Sequence, residues 1–528
     1  MSDNHRSKAA IGLFVFLLVL AAPRLSAAPP DQLGKVNFPT TCAAEVEPTI
    51  EKGVALLHSF QYKESEQTFS EAATRDPQCA MAHWGRAMAL YQQLWDFPND
   101  KTLKEGHKDV EQAQKLRSVN AREKGFIAAA AAFFQKKSKM SHADRTKAYS
   151  AALERFYAEN PGDSEIGSFY ALSLVSLAEE DVDTTANLKK AISILDPLLK
   201  QYPDHPGIAH YLIHATDRPE LASQGLEAAR RYAAIAPDSS HAIHMPSHIF
   251  VRLGLWQDSI TSNIAARRSG AHAAEMHTAE SHYQTHAMDF LNYSYLQSGQ
   301  EAKAREVIAD EQNVIGASEE SKAAHAADLS ARTVLELHRW TEAASLSIPR
   351  VKLVPQESAY RARVIGKAHL GDVAGARADL EKLKEIWAAQ DMEAQKEGYP
   401  VSKEKHLSSA EVWILFAEGK RDDAVREMRA IADRQDAKGV DSLSMSAREM
   451  LADMLLELKR PAEALAEYKT ALKNSPNRFD GLLGAARAAQ ASGDVSGAQS
   501  FYARLASVCS PAADRPELAE AKTYLAQK

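Results

Sequence analysis

Ten of the nineteen histidines fall between His205 and His286, in 82 of the chain's 528 residues. Within that stretch stand His210-Tyr-Leu-Ile-His214 and His241-Ala-Ile-His244-Met-Pro-Ser-His248. Two histidines four apart on a helix share one face, so their imidazoles can converge on a single ion. His210, His214, His244 and His248 would together supply four nitrogens. Imidazole without thiolate suits zinc, copper, nickel or iron, and Met245 would add a soft ligand favouring copper(I). Asp217 and Asp289 are the candidate carboxylates beside such a site. Glu280, in His277-Thr-Ala-Glu-Ser-His282, is the nearest acid by sequence, but its spacing is neither HExxH nor HxxEH. Two other uses stay open. The same histidines could hydrogen-bond to one another and fix packing without an ion, or they could line a binding groove. Pro246 disfavours helix at Met245, so the helix carrying His248 is expected to begin near Pro246, with His244 in its lead-in.

The elements that position these residues are helical. His210 and His244, like His214 and His248, are 34 residues apart, a step typical of repeated helical hairpins. Near the C-terminus Ala464 and Ala498, Tyr468 and Tyr502, and Lys459 and Gly493 are also 34 apart. Gly254, Gly299, Gly371 and Gly493 each sit between two helical runs, where glycine suits a left-handed cap. Asn120 with Glu123 predicts a capping-box start for a helix through Phe134. Helices are further expected over 145–157, 165–178, 187–201, 301–310, 318–339, 357–390 and 405–438. No strand-like alternation extends beyond a few residues. Such periodicity predicts a solenoid of helical hairpins, with Gly398-Tyr-Pro400 the expected break between an array over 28–398 and a second over 399–528.

With small residues inside each hairpin and Pro77 just beyond the first, the pattern resembles the tetratricopeptide repeat, most clearly over 445–510. That resemblance implies an all-α right-handed superhelix in which the first helix of each hairpin lines a concave groove. It would place His210, His214, His244 and His248 on that surface. Aligning Gly299 with Gly254 brings Asp289 and Tyr293 to the equivalent places, with His286 one turn earlier and Tyr211 beside His210. The phrases from His210 to Pro219, from His241 to Phe250 and from His286 to Leu291 look like those of a group of secreted bacterial tetratricopeptide proteins, a resemblance that implies no activity. Trp84, Tyr211, Trp256 and Tyr293 are expected mainly in packing, and His58, His107, His142 and His406 facing solvent.

A formal charge of −7, from 63 basic and 70 acidic residues, leaves no basic excess for phosphates and argues against nucleic acid as a partner. A protein or peptide partner is the expected occupant of a groove. No phosphate loop, GxSxG elbow or triad-like set stands out, so no enzyme class is indicated. The basic start, the apolar run Ala9–Ala22 and the small residues through Ala28 read as a secretory signal cleaved near Ala27. The run is short of the ~20 residues a spanning helix needs, which argues against a permanent membrane anchor. The mature chain is then expected in the periplasm or outside the cell. Cys42 and Cys79 flank the first hairpin and lie 37 residues apart, close to one repeat, which predicts a disulfide worth roughly 3–4 kcal/mol. Cys509 is left over, and without CxxC neither a redox centre nor attached haem is supported.

Overall fold

Pairs of helices, each closed by a tight turn, follow one another along the chain. The computed structural model describes residues 32–527 apart from 95–96, 117–118, 137–139, 181–183, 276–280, 398–400, 402–406 and 441–442. The expected signal segment, the break at Gly398-Tyr-Pro400, Glu280 and His406 lie outside the described residues. Among the described residues there is no strand, and no helix is long and apolar enough to cross a membrane.

The first hairpin joins Glu47–His58 to Tyr62–Arg75, and Cys42 and Cys79 are disulfide-bonded across its open end, their Cα atoms 4.6 Å apart. The Asn120–Glu123 capping box forms as expected, satisfying backbone N–H groups at the start of Ala121–Phe133. Gly254, Gly299, Gly371 and Gly493 all adopt left-handed φ, between 65° and 82°. Gly371 and Gly419, also left-handed, divide the longer helical runs, so 357–390 becomes Glu357–His369 and Val373–Glu397, and the following run becomes Ser409–Ala417 and Arg421–Lys438.

Two large apolar cores run through the array, one from Phe38 to Phe250 and the other from Val364 to Ala521, with smaller clusters between. The C-terminal hairpins return to the middle of the chain. Trp256 Nε1 donates to the Asn477 carbonyl at 3.0 Å, Phe479 N to Gln297 Oε1 at 2.9 Å, and Ser510 N to the Ser298 carbonyl at 2.9 Å. A buried guanidinium cements this contact: Arg478 bonds Glu449 and Glu336, each at 2.8 Å, and Tyr293.

The histidine stretch occupies three consecutive hairpins. Pro206–Thr216 pairs with Leu226–Ile235, Ser240–His244 and Pro246–Arg252 pair with Trp256–Glu275, and His282–Gln297 pairs with Glu301–Ala309. A helix begins at Pro246 as expected, with the short helix Ser240–His244 leading into it. Met245 keeps helical angles, φ −52° and ψ −34°, and the turn tightens there, with His248 N donating to the Met245 carbonyl at 3.2 Å. Pro246 removes one backbone donor without turning the chain, so His244 and His248 remain one turn apart on a continuous path. Met245 itself is fully buried in the N-terminal core.

Candidate functional site

His210 is fully buried, and its two ring nitrogens have different employment. Nδ1 lies 2.6 Å from the His58 carbonyl oxygen, which can only accept, so Nδ1 carries the proton and Nε2 is left with an in-plane lone pair. Two other imidazole nitrogens face that lone pair, His214 Nε2 and His241 Nε2, each at 3.0 Å. One lone pair can accept one well-directed hydrogen bond, whereas an ion at the centre would satisfy all three nitrogens. Phe60 covers the group, its ring centroid 4.3 Å from that of His210, while Tyr232 stacks on the other side at 5.1 Å. Phe60 has a left-handed φ of 55°, a backbone strain that a bulky residue keeps only when its surroundings hold it.

One repeat further on the arrangement recurs. His244 Nδ1 donates to Asn263 Oδ1 at 2.6 Å, since the Asn263 amide nitrogen is engaged with the Ser259 carbonyl. His248 Nδ1 lies 2.9 Å from Asp217 Oδ2, and the other Asp217 oxygen accepts from Arg252 Nε at 2.8 Å. The Nε2 atoms of His244 and His248 then face each other at 3.1 Å, and His286 completes a group whose ligand atoms all lie within 4.8 Å of one another. The first group thus takes its pair from one helix and the second from two short helices joined at Met245, and each takes its third member from the next hairpin. The two histidine pairs belong to two three-nitrogen groups, not to one four-nitrogen set.

Electrostatics favour the neutral, lone-pair-bearing form of these rings. Burial, reinforced by neighbouring imidazoles, pushes His210, His241 and His244 well below the ordinary histidine range, and takes His214 and His286 down to about 3. Burial would raise Asp217, but Arg252 and His248 outweigh it and hold the carboxylate ionised. A cavity of about 620 Å³ opens beside both groups, lined by His214 from the first and by His248 and His286 from the second.

The register of the repeats explains the geometry and shows where it stops. The left-handed turn residues Gly254, Gly299 and His338 follow His244, Asp289 and Asp328 by the same interval, and His241, His286 and His325 each precede those residues by three. In the third step Asp289 stands where a histidine stood. It accepts from Arg332 at 2.9 Å, and His325 Nε2 lies 3.4 Å from it while Nδ1 bonds Glu311 at 2.7 Å. Asp289 is therefore in an ion network, and Tyr293 is tied to Arg478. Neither lines the cavity beside the histidine groups.

His58 corrects the expectation of a solvent-facing ring, because it is fully buried at the base of the site. Its Nε2 lies 2.8 Å from Glu165 Oε2 and its Nδ1 2.8 Å from the Tyr211 hydroxyl, while His205 Nε2 reaches the other Glu165 oxygen at 2.9 Å. His205 Nδ1 also accepts from Ile208 N, capping the helix that carries His210. Each ring nitrogen of His58 and His205 and each Glu165 oxygen is hydrogen-bonded, so the set braces the helix that carries the first group. His142 is stacked 3.9 Å from Phe97 and pushed down to about 4 by burial, and His107 Nδ1 donates to the Phe134 carbonyl at 2.7 Å, so neither faces solvent as expected. Sequence spacing carried no sign of His58, Glu165 or Asn263. His241 and His286 were visible as histidines, but not their grouping.

Family models agree with the repeat frame. Tetratricopeptide-repeat models match residues 51–93 and 409–479, and a second such model matches 455–508. Over those residues the chain carries tetratricopeptide repeats, and among the described residues its architecture is one of all-α helical hairpins. No curated protein matches it. Among solved structures it is similar to the TPR domain of P58(IPK), at 14% identity over 92% of this chain and 99% of that one, TM-score 0.20. It is also similar to a chain in the structure of Naa15/Naa10 bound to HypK-THB, at 11% identity over 91% of each chain, TM-score 0.24. Tetratricopeptide arrays serve as protein-interaction scaffolds through their extended concave surfaces.

Proposed function

We propose that this chain is a secreted tetratricopeptide-repeat scaffold that binds a transition-metal ion, zinc or copper, through its histidine centre. One observation carries the metal: the single lone pair of His210 Nε2 faces two further imidazole nitrogens at 3.0 Å, with its own Nδ1 already committed to a backbone carbonyl. Donation of the far nitrogen to a carbonyl or carboxylate is how metal-binding histidines are oriented, and His248 with Asp217 repeats it. The Cys42–Cys79 disulfide agrees with an oxidising compartment. A mature N-terminus near residue 28, read by mass spectrometry of the exported chain, is the expected result for secretion.

Elemental analysis of protein purified without a histidine tag tests the metal directly. About one equivalent or more of zinc or copper is expected, with a rise in melting temperature on adding metal to the stripped protein. Less than about a tenth of an equivalent, together with no thermal shift, would sink the metal reading. It would leave a scaffold whose histidines only pack. The ion network around His325 shows that the same positions can be satisfied that way. A protein or peptide partner segment would enter at the second cavity, of about 390 Å³, lined by Asp289, Arg332 and Arg361.

A further inference from the structure

The His244, His248 and His286 group shares no ligand atom with the first. Its two engaged Nδ1 atoms end on Asn263 Oδ1 and Asp217 Oδ2, while the Asp217 backbone N–H caps the helix of the first group at the His214 carbonyl. The second group occupies the same repeat positions one step later. Among the described residues each group has three protein nitrogens, a set that leaves one position of a tetrahedral ion for a further ligand. His214 from one group and His248 and His286 from the other reach the same cavity of about 620 Å³.

We infer that the centre holds two ions, and that their open positions take an anionic oxygen ligand carried on a small aromatic body. The inference rests on the metal reading above. Six imidazoles bring no negative charge, and the nearby carboxylate of Asp217 is committed to His248 and Arg252. Two divalent ions held this way are the largest local charges, and the described cavity wall, with Lys63 against Glu64 and Glu179, offsets only a part of them. Phe60, Tyr62 and Tyr283 supply aromatic wall on which a ring can lie, and the volume is that of a small-molecule site. Lys63, Glu64 and Glu179 also line the space, one basic and two acidic groups, so the wall is nearly balanced and the ions decide the sign of the ligand.

The test uses the untagged full-length chain, stripped of metal and titrated with Co²⁺ while the visible absorption is followed. The bands are expected to grow until about two equivalents are bound. His286→Asn and His241→Asn should each reduce that to about one, whereas His272→Ala, at an exposed residue, should leave it at two. A wild-type titration that breaks at one equivalent, or a folded His286→Asn protein that still binds two, overturns the second ion. In either case metal binding by the first group stands, whereas no uptake at all would overturn the earlier reading with it. If a variant does not fold, the wild-type break point alone decides. Benzoate should then shift the bands of the doubly loaded protein at concentrations where benzamide, its neutral analogue, leaves them unchanged. No response to benzoate, or an equal response to benzamide, overturns the anionic ligand.

Discussion

His210 shows how one residue's hydrogen bonds select its chemistry. Its Nδ1 proton is held by the His58 carbonyl, and His58 is held in turn by Glu165 and Tyr211. Space for this arrangement depends on Gly207, where a Cβ would lie 2.3 Å from His58 Nδ1. Gly207→Ala is therefore expected to destabilise the fold by about 1–3 kcal/mol in urea unfolding, the usual cost of overpacking a core. It should also weaken metal uptake, because His58 would have to move. A neutral effect on both would show that His58 can shift without disturbing His210.

At the scale of the helix pair, consecutive repeats present either a histidine trio or an ion network at the same positions. The network has its own pH signature. Burial lowers His325, but Asp289 and Glu311 outweigh it and raise the imidazole to about 9. Protonated His325 therefore stabilises the fold fully below its unfolded value near 6.5, and that contribution is lost as pH rises through about 9. His325→Gln is expected to cost about 2 kcal/mol at pH 6 and close to nothing at pH 10. Thermal melts across that range would read it, and a cost independent of pH would mean that packing and not charge holds the ring. Pro246 belongs to this scale too. A new helix begins at it as expected, but Met245 keeps right-handed helical angles between the two short helices, and that keeps His244 and His248 within reach of each other.

Across the whole molecule, the C-terminal hairpins fold back on the middle ones, and Arg478 is the polar tie between them. It is 1% exposed and pairs with Glu449 and Glu336, which sit on helices from different parts of the array. Arg478→Met would leave two buried carboxylates without their cation, at an expected cost of about 3–5 kcal/mol. Urea unfolding of this variant should separate into two transitions as the two apolar cores lose their coupling. A single transition at the wild-type midpoint would show that backbone contacts such as Ser510 to Ser298 suffice. The same return brings the Lys438 and Val440 carbonyls against Arg218 and Arg252, and Arg252 supports Asp217 behind His248. The C-terminal array thus braces the histidine centre from a distance of nearly two hundred residues in sequence.

Much of this was legible in the chain itself. Helical period, the 34-residue step, the turn glycines, the Asn120 cap and the Cys42–Cys79 pair are local or regularly spaced features, and the backbone answers to them directly. The histidine pairs belong to the same class, because four residues make one helical turn wherever the helix lies. Tertiary structure decided which histidines meet. His241 and His286 join their groups from the following hairpin, and His58 and Glu165 arrive from hairpins far earlier in the chain. Contacts between stacked hairpins depend on how each helix is rotated against the next, and packing of the whole core sets that rotation. A left-handed turn at His338 hid the third repeat step for a related reason: surrounding contacts imposed on histidine a conformation that sequence reading reserves for glycine.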